Sequence, residues 1–194
     1  MKRAINSALS HKLSFKTISL LVGIVIGTLF IPYFQSLARW AANRNVAFED
    51  GSIELPTRWT SEGEGHLLSI RRSGATFLFP FESTITIDPF SERWPADKIG
   101  AISDHWMREH GSPVFNGRFK DRITGTDVAF PSEVKCVSPA EDAKAKYVRI
   151  YCLSADFVHS FEFFGQPDAI AAFAQVSSDA TQIIRRHPGS VFRE

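Results

Sequence analysis

Glu133-Val134-Lys135-Cys136-Val137-Ser138 and Lys146-Tyr147-Val148-Arg149-Ile150-Tyr151-Cys152-Leu153 are two alternating stretches joined by a polar turn that opens at Pro139. Successive side chains of a strand point to opposite faces. A register centred on Lys144 therefore sets Cys136 opposite Cys152 and gathers Val134, Cys136, Val148, Ile150 and Cys152 on one apolar face. A slip of one residue would turn that face to solvent, so the pattern specifies an antiparallel hairpin with one side in a core. A disulfide between Cys136 and Cys152 is the expectation for an oxidising compartment. By chain entropy it would contribute about 3 kcal/mol. Two buried thiols are the alternative, and no Cys-x-x-Cys spacing marks a redox pair.

Outward from this hairpin, short alternating or β-branched runs bounded by turn residues fill most of the chain. Gly51 to Leu55, His66 to Arg71, Ala75 to Phe79 and Ser83 to Ile87 precede a helix that Pro95 opens and Gly111 stops, with Ile99, Ile102 and Trp106 on one stripe. Val114 to Lys120, Thr124 to Phe130, the hairpin itself and Val158 to Phe164 follow. A last helix opens at Pro167-Asp168, turns Ile170, Phe173, Ala180 and Ile184 inward, and closes on Arg185-Arg186-His187, acid first and bases last as the helix dipole favours. Strands grouped around two helices predict an α+β domain, a mostly antiparallel sheet packed by two helices, over residues 48–194.

The front of the chain belongs to a different solvent. Residues 1–45 carry six basic and no acidic groups, whereas the remainder carries 16 basic and 21 acidic, so a net charge of +1 conceals +6 and −5. Residues 17–34 are uncharged and mostly apolar, and as a helix they would reach about 27 Å, close to a hydrocarbon core of about 30 Å. This predicts a basic cytoplasmic tail over residues 1–16, a transmembrane signal-anchor helix over 17–34, a linker over 35–47, and the domain outside. Tyr33, Phe34 and Trp40 suit an outer aromatic belt. The competing reading is a cleaved signal peptide, since Ser36-Leu37-Ala38 places small residues where a signal peptidase cuts. Gly23 and Gly27 form a Gly-x-x-x-Gly through which two anchors would pack as a homodimer. No Asn-x-Ser/Thr sequon occurs, which favours a bacterial envelope, with the anchor in the inner membrane and the domain in the periplasm.

A strand ending in Leu55-Pro56 with Trp59 close behind, the strand Ser83-Thr84-Ile85-Thr86-Ile87, a central helix, and a meander closing on Phe161-Glu162-Phe163-Phe164-Gly165 before a final helix resemble the PsbP-like α/β/α sandwich. That pattern occurs in extrinsic photosystem proteins, Ran-binding Mog proteins and many bacterial envelope proteins. The Gly that usually precedes its Trp is Arg58 here. The resemblance covers about residues 48–187 and implies a non-catalytic interaction or assembly module.

Motifs of chemistry are sparse. His105 and His110 are five apart and diverge by about 140° around a helix, unlike the four-residue spacing that converges two histidines on one zinc ion. No nucleophile elbow, phosphate loop or dinucleotide glycine pattern occurs, so no cofactor or metal is expected. The acidic body argues against a nucleic-acid partner. Arg118, Lys120 and Arg122 alternate along one strand and form a candidate contact for an acidic partner or anionic lipid. The leading expectation is a membrane-anchored periplasmic module that binds another envelope protein. A secreted ligand- or lipid-binding domain released after Ala38, and a hydrolase with a dispersed His/Ser/Asp set, are the alternatives.

Overall fold

The computed structural model of the chain describes residues 15–62, 67–74, 82–90, 95, 97–111, 114–115, 117–120, 125–139, 146–156 and 159–186. The strand expected over Ala75–Phe79, the start of that expected from His66, Trp94, Arg122 and most of the basic tail lie outside these residues.

Two helices come first, α1 (Phe15–Leu29) and α2 (Ile31–Ala42). A hairpin follows, β1 (Asn45–Phe48) and β2 (Gly51–Glu54), then β3 (Trp59–Glu62), β4 (Leu68–Arg72) and β5 (Ser83–Pro89). Helix α3 (Ile99–His110) leads to β6 (Val114–Phe115), β7 (Arg118–Lys120), β8 (Asp127–Ala129), β9 (Val134–Val137), β10 (Val148–Ser154) and β11 (His159–Gly165). A 3₁₀ turn at Pro167–Ala169 opens α4 (Ile170–Arg186).

Seven strands form one antiparallel sheet in the order β3-β4-β5-β11-β10-β9-β6, with β1-β2 and β7-β8 as separate pairs. The fold is α+β with a mostly antiparallel sheet, as the strand pattern predicts. Alternation assigns the faces. Leu68, Ile87, Phe161, Cys152 and Cys136 lie in register across neighbouring strands and are buried, as are Ile70, Ile85, Phe163 and Ile150 one pair along. Helix α4 covers this face, stacking Phe173 on Phe163 and burying Ile170, Val176, Ala180 and Ile184. The other face meets α3, where Trp106 packs edge-on against Tyr151 of β10. Helices therefore lie on both faces of the sheet.

Four expectations need correction. The single helix over 17–34 is broken at Phe30, with α1 and α2 meeting at 45°. Pro32 has no N–H to offer the Thr28 carbonyl, and its ring would crowd that oxygen in a continuous helix. Thr28 adds to the bend by returning its hydroxyl to the carbonyls of Ile24 and Val25, at 2.7 and 3.0 Å. Second, residues 35–47 are not a linker: they are helical to Ala42, and Asn45 begins β1. Val46 and Phe48 of β1 are buried, so this stretch is part of the folded body. Third, the helix predicted from Pro95 starts at Ile99, with Pro95 instead accepting a turn bond from the Lys98 N–H. Fourth, the run Val114 to Lys120 is two strands, parted at Gly117, whose φ of +82° is a left-handed conformation that suits glycine. Gly111 ends α3 as expected, where a Cβ would stand 2.4 Å from the Ser138 carbonyl oxygen.

Candidate functional site

Helix α1 is apolar around its whole circumference, and none of its residues is buried; Leu20, Val22, Ile24, Val25 and Ile26 are each at least half exposed. No single helix among the described residues is long and apolar enough to cross a membrane, whereas α1 and α2 pass that test together as a bent pair. The two helices differ in their attachment. Helix α2 lies against β3, and Tyr33, Ser36 and Trp40, three or four apart on it, meet Arg58 and Leu55 of the segment between β2 and β3. The Trp40 indole N–H donates to the Leu55 carbonyl at 2.8 Å.

Arg58 completes this seat. Its guanidinium lies 4.4 Å from the centroid of the Tyr33 ring, donates from Nε to Ser36 Oγ at 3.2 Å, and donates from a terminal nitrogen to the Ser73 carbonyl at 3.1 Å. Arg58 sits in the left-handed region at φ +70°, a conformation costing about 1–2 kcal/mol for a residue with a Cβ. This side chain joins α2 to the segment that leads into β3. Burial, followed by repulsion from Arg72, draws the Arg58 pKa down, yet an arginine remains charged at any physiological pH.

Beside this joint, α2, β1 and β3 enclose an open polar cleft of about 350 Å³. Arg39, Asn43, Asn45, Thr60, Ser61 and Glu62 are in its wall. Arg39 is the cation of the wall, and the carboxylate of the wall, Glu62, is paired with Arg71. A second, smaller hollow of about 220 Å³ lies on the sheet face beside α3, over Thr84, Thr86, Arg149, Tyr151, Glu162 and Phe164. Tyr147 stacks on Phe164 there, and Arg149 lies 4.8 Å from the same ring.

Among the residues expected to matter, Cys136 and Cys152 are bonded, directly opposite one another in the predicted register, with their Cα atoms 4.0 Å apart. Arg118 and Lys120 project to the same exposed side of β7, but both turn to Asp127 across the β7-β8 pair. The hydrogen bond to Arg118 lowers the Asp127 pKa and raises that of Arg118. That neutralisation weakens them as a free basic patch. Gly23 and Gly27 lie on exposed α1. His105 pairs with Glu109 at the surface, 3.1 Å apart, while His110 stacks on Trp106, so the two imidazoles do not converge.

A feature without a local signal is the pair His159 and Glu49, whose side chains are 0% and 3% exposed with Nε2 and Oε1 3.0 Å apart. Glu49 turns the β1-β2 hairpin at φ +50°, and 110 residues separate it from its partner. Ser154 Oγ engages the main chain of His159 rather than its ring. Comparison with protein-family models, curated protein sequences and solved structures gives no match for the chain.

Proposed function

We propose that the chain is a membrane-anchored, non-catalytic interaction module of the bacterial envelope, with α1 in the inner membrane and a PsbP-like domain held at the periplasmic surface. The observation that carries this reading is α1 itself. A helix apolar on all sides is stable inside a protein core or inside lipid, and no residue of α1 is buried by the rest of the chain. The 22 uncharged residues from Thr17 to Ala38 lie between Lys16 and Arg39, which suit the two interfaces. Helices on both faces of an antiparallel sheet, one after β5 and one at the end, support the PsbP-like assignment.

The docking of α2 favours an anchor over a cleaved leader. Cleavage after Ala38 would cut α2 in its middle and remove Tyr33 and Ser36 from Arg58. Cell fractionation with N-terminal sequencing tests this: the intact chain stays with membranes washed in alkaline carbonate. A soluble product beginning at Arg39 refutes it. The partner-binding role is tested by crosslinking in membranes before detergent extraction, where a discrete adduct that depends on the domain is expected and its absence argues against the role.

A further inference from the structure

We infer that the polar cleft between α2, β1 and β3 holds the phosphodiester headgroup of an anionic phospholipid, an inference that rests on the membrane attachment proposed above. Three observations converge on it. The first is the chemistry of the wall. Arg39 supplies a cation suited to a phosphate, and the Asn43 and Asn45 amides with the Ser61 hydroxyl are polar groups of the wall suited to a glycerol or similar polyol. The second is the charge balance, because the carboxylate in the wall, Glu62, is engaged by Arg71.

The third is depth. Arg39 ends the uncharged run of 22 residues that begins at Thr17, and α2, which carries it, is inclined by 45° to α1, so an anchor made of this run brings Arg39 and the cleft to the level of the headgroups. The joint made by Arg58 and Trp40 keeps α2 on the domain, so the cleft is held near the lipid surface rather than swinging on a tether.

The test uses the full chain in mild detergent, titrated separately with short-chain phosphatidylglycerol, short-chain phosphatidylcholine and soluble glycerol 3-phosphate, with lipid retention followed by native mass spectrometry. Saturable binding of phosphatidylglycerol is expected, at least about tenfold tighter than phosphatidylcholine, with loss of most of that preference in Arg39→Gln. Ser61→Leu, which fills the cleft and leaves its charge unchanged, weakens the same binding, whereas Arg44→Gln changes it less than about twofold. Glycerol 3-phosphate that binds as tightly as the lipid assigns the cleft to a free phosphate ester and overturns the lipid assignment. Equal binding of the two lipids, or wild-type binding by Arg39→Gln, overturns the site while leaving the anchor reading intact. Release of the chain from carbonate-washed membranes would instead defeat the anchor reading, and the glycerol 3-phosphate titration still reports on the cleft.

Discussion

The guanidinium of Arg58 and the ring of Tyr33 are stacked 4.4 Å apart, and this contact joins the helix that follows the apolar segment to the edge of the sheet. Arg58 holds a left-handed backbone that glycine would adopt without strain. Its side chain meets Tyr33 and Ser36 of α2 on one side and the Ser73 carbonyl on the other, and so attaches α2 to the sheet.

Arg58→Gly separates the two effects. Relief of the backbone, about 1–2 kcal/mol, only partly offsets loss of the stack and the two hydrogen bonds, each about 1 kcal/mol, so domain stability falls by about 1–2 kcal/mol. Amide exchange over residues 36–42 nevertheless rises at least about tenfold as α2 loosens. Unchanged exchange would remove Arg58 from this role.

The disulfide closes a short loop across β9 and β10, with its cysteines 16 residues apart. Cys136→Ala with Cys152→Ala is expected to lower the unfolding free energy by about 3 kcal/mol, measured by urea unfolding. Reduction of the wild-type protein should reproduce most of that loss.

The Glu49–His159 pair clamps the β1-β2 turn to the start of β11 from within the protein. Glu49→Ala removes the carboxylate from His159 Nε2 inside the core and should cost about 3 kcal/mol. Glu49→Gln, which keeps an oxygen within reach of Nε2, should cost less than half as much. Equal losses would show that the charge, rather than the hydrogen bond, matters.

Acid acts in two directions. Asp127 is held below its ordinary pKa by its hydrogen bond to Arg118, and Glu133 by bonds from its own main chain and from Ser132. Their folded pKa values are depressed, so their stabilisation is present above the unfolded carboxylate range near pH 4 and is lost as pH falls through the folded values. Asp179 is the reverse, raised by burial and then by Glu54, so its ionisation opposes folding as pH rises. Asp179→Asn should melt higher than wild type at pH 7, by well under about 1 kcal/mol because the group is partly in water, and the difference should vanish near pH 3. Asp127→Asn should melt lower at pH 7, with its difference persisting through the unfolded carboxylate range near pH 4 and vanishing only as pH falls past the lowered folded value.

Local pattern carried much of the fold. The β9-β10 register was legible because one slip would expose Val134, Val148 and Ile150, and α4 because its apolar residues recur at helical spacing. Strand β3 gave little signal, since Thr60, Ser61 and Glu62 are polar and their pairing with β4 is decided by neighbours. Pro32 sits inside an apolar run and so hid the break between α1 and α2. The candidate site was less legible still. Arg58 meets Tyr33, and Arg39 shares a cleft with Ser61, only through the packing of α2 on the sheet, and Asp127 reaches Arg118 through a strand pairing that no local periodicity announces.

The most direct test of the central claim is protease digestion of intact spheroplasts carrying the full chain with different tags at its two ends. The account predicts loss of the C-terminal tag and of the folded domain, with the N-terminal tag protected and retained in the membrane pellet on a short fragment that contains α1. A C-terminal domain that stays intact until the membrane is broken, or a full-length chain recovered in the soluble fraction, would contradict it.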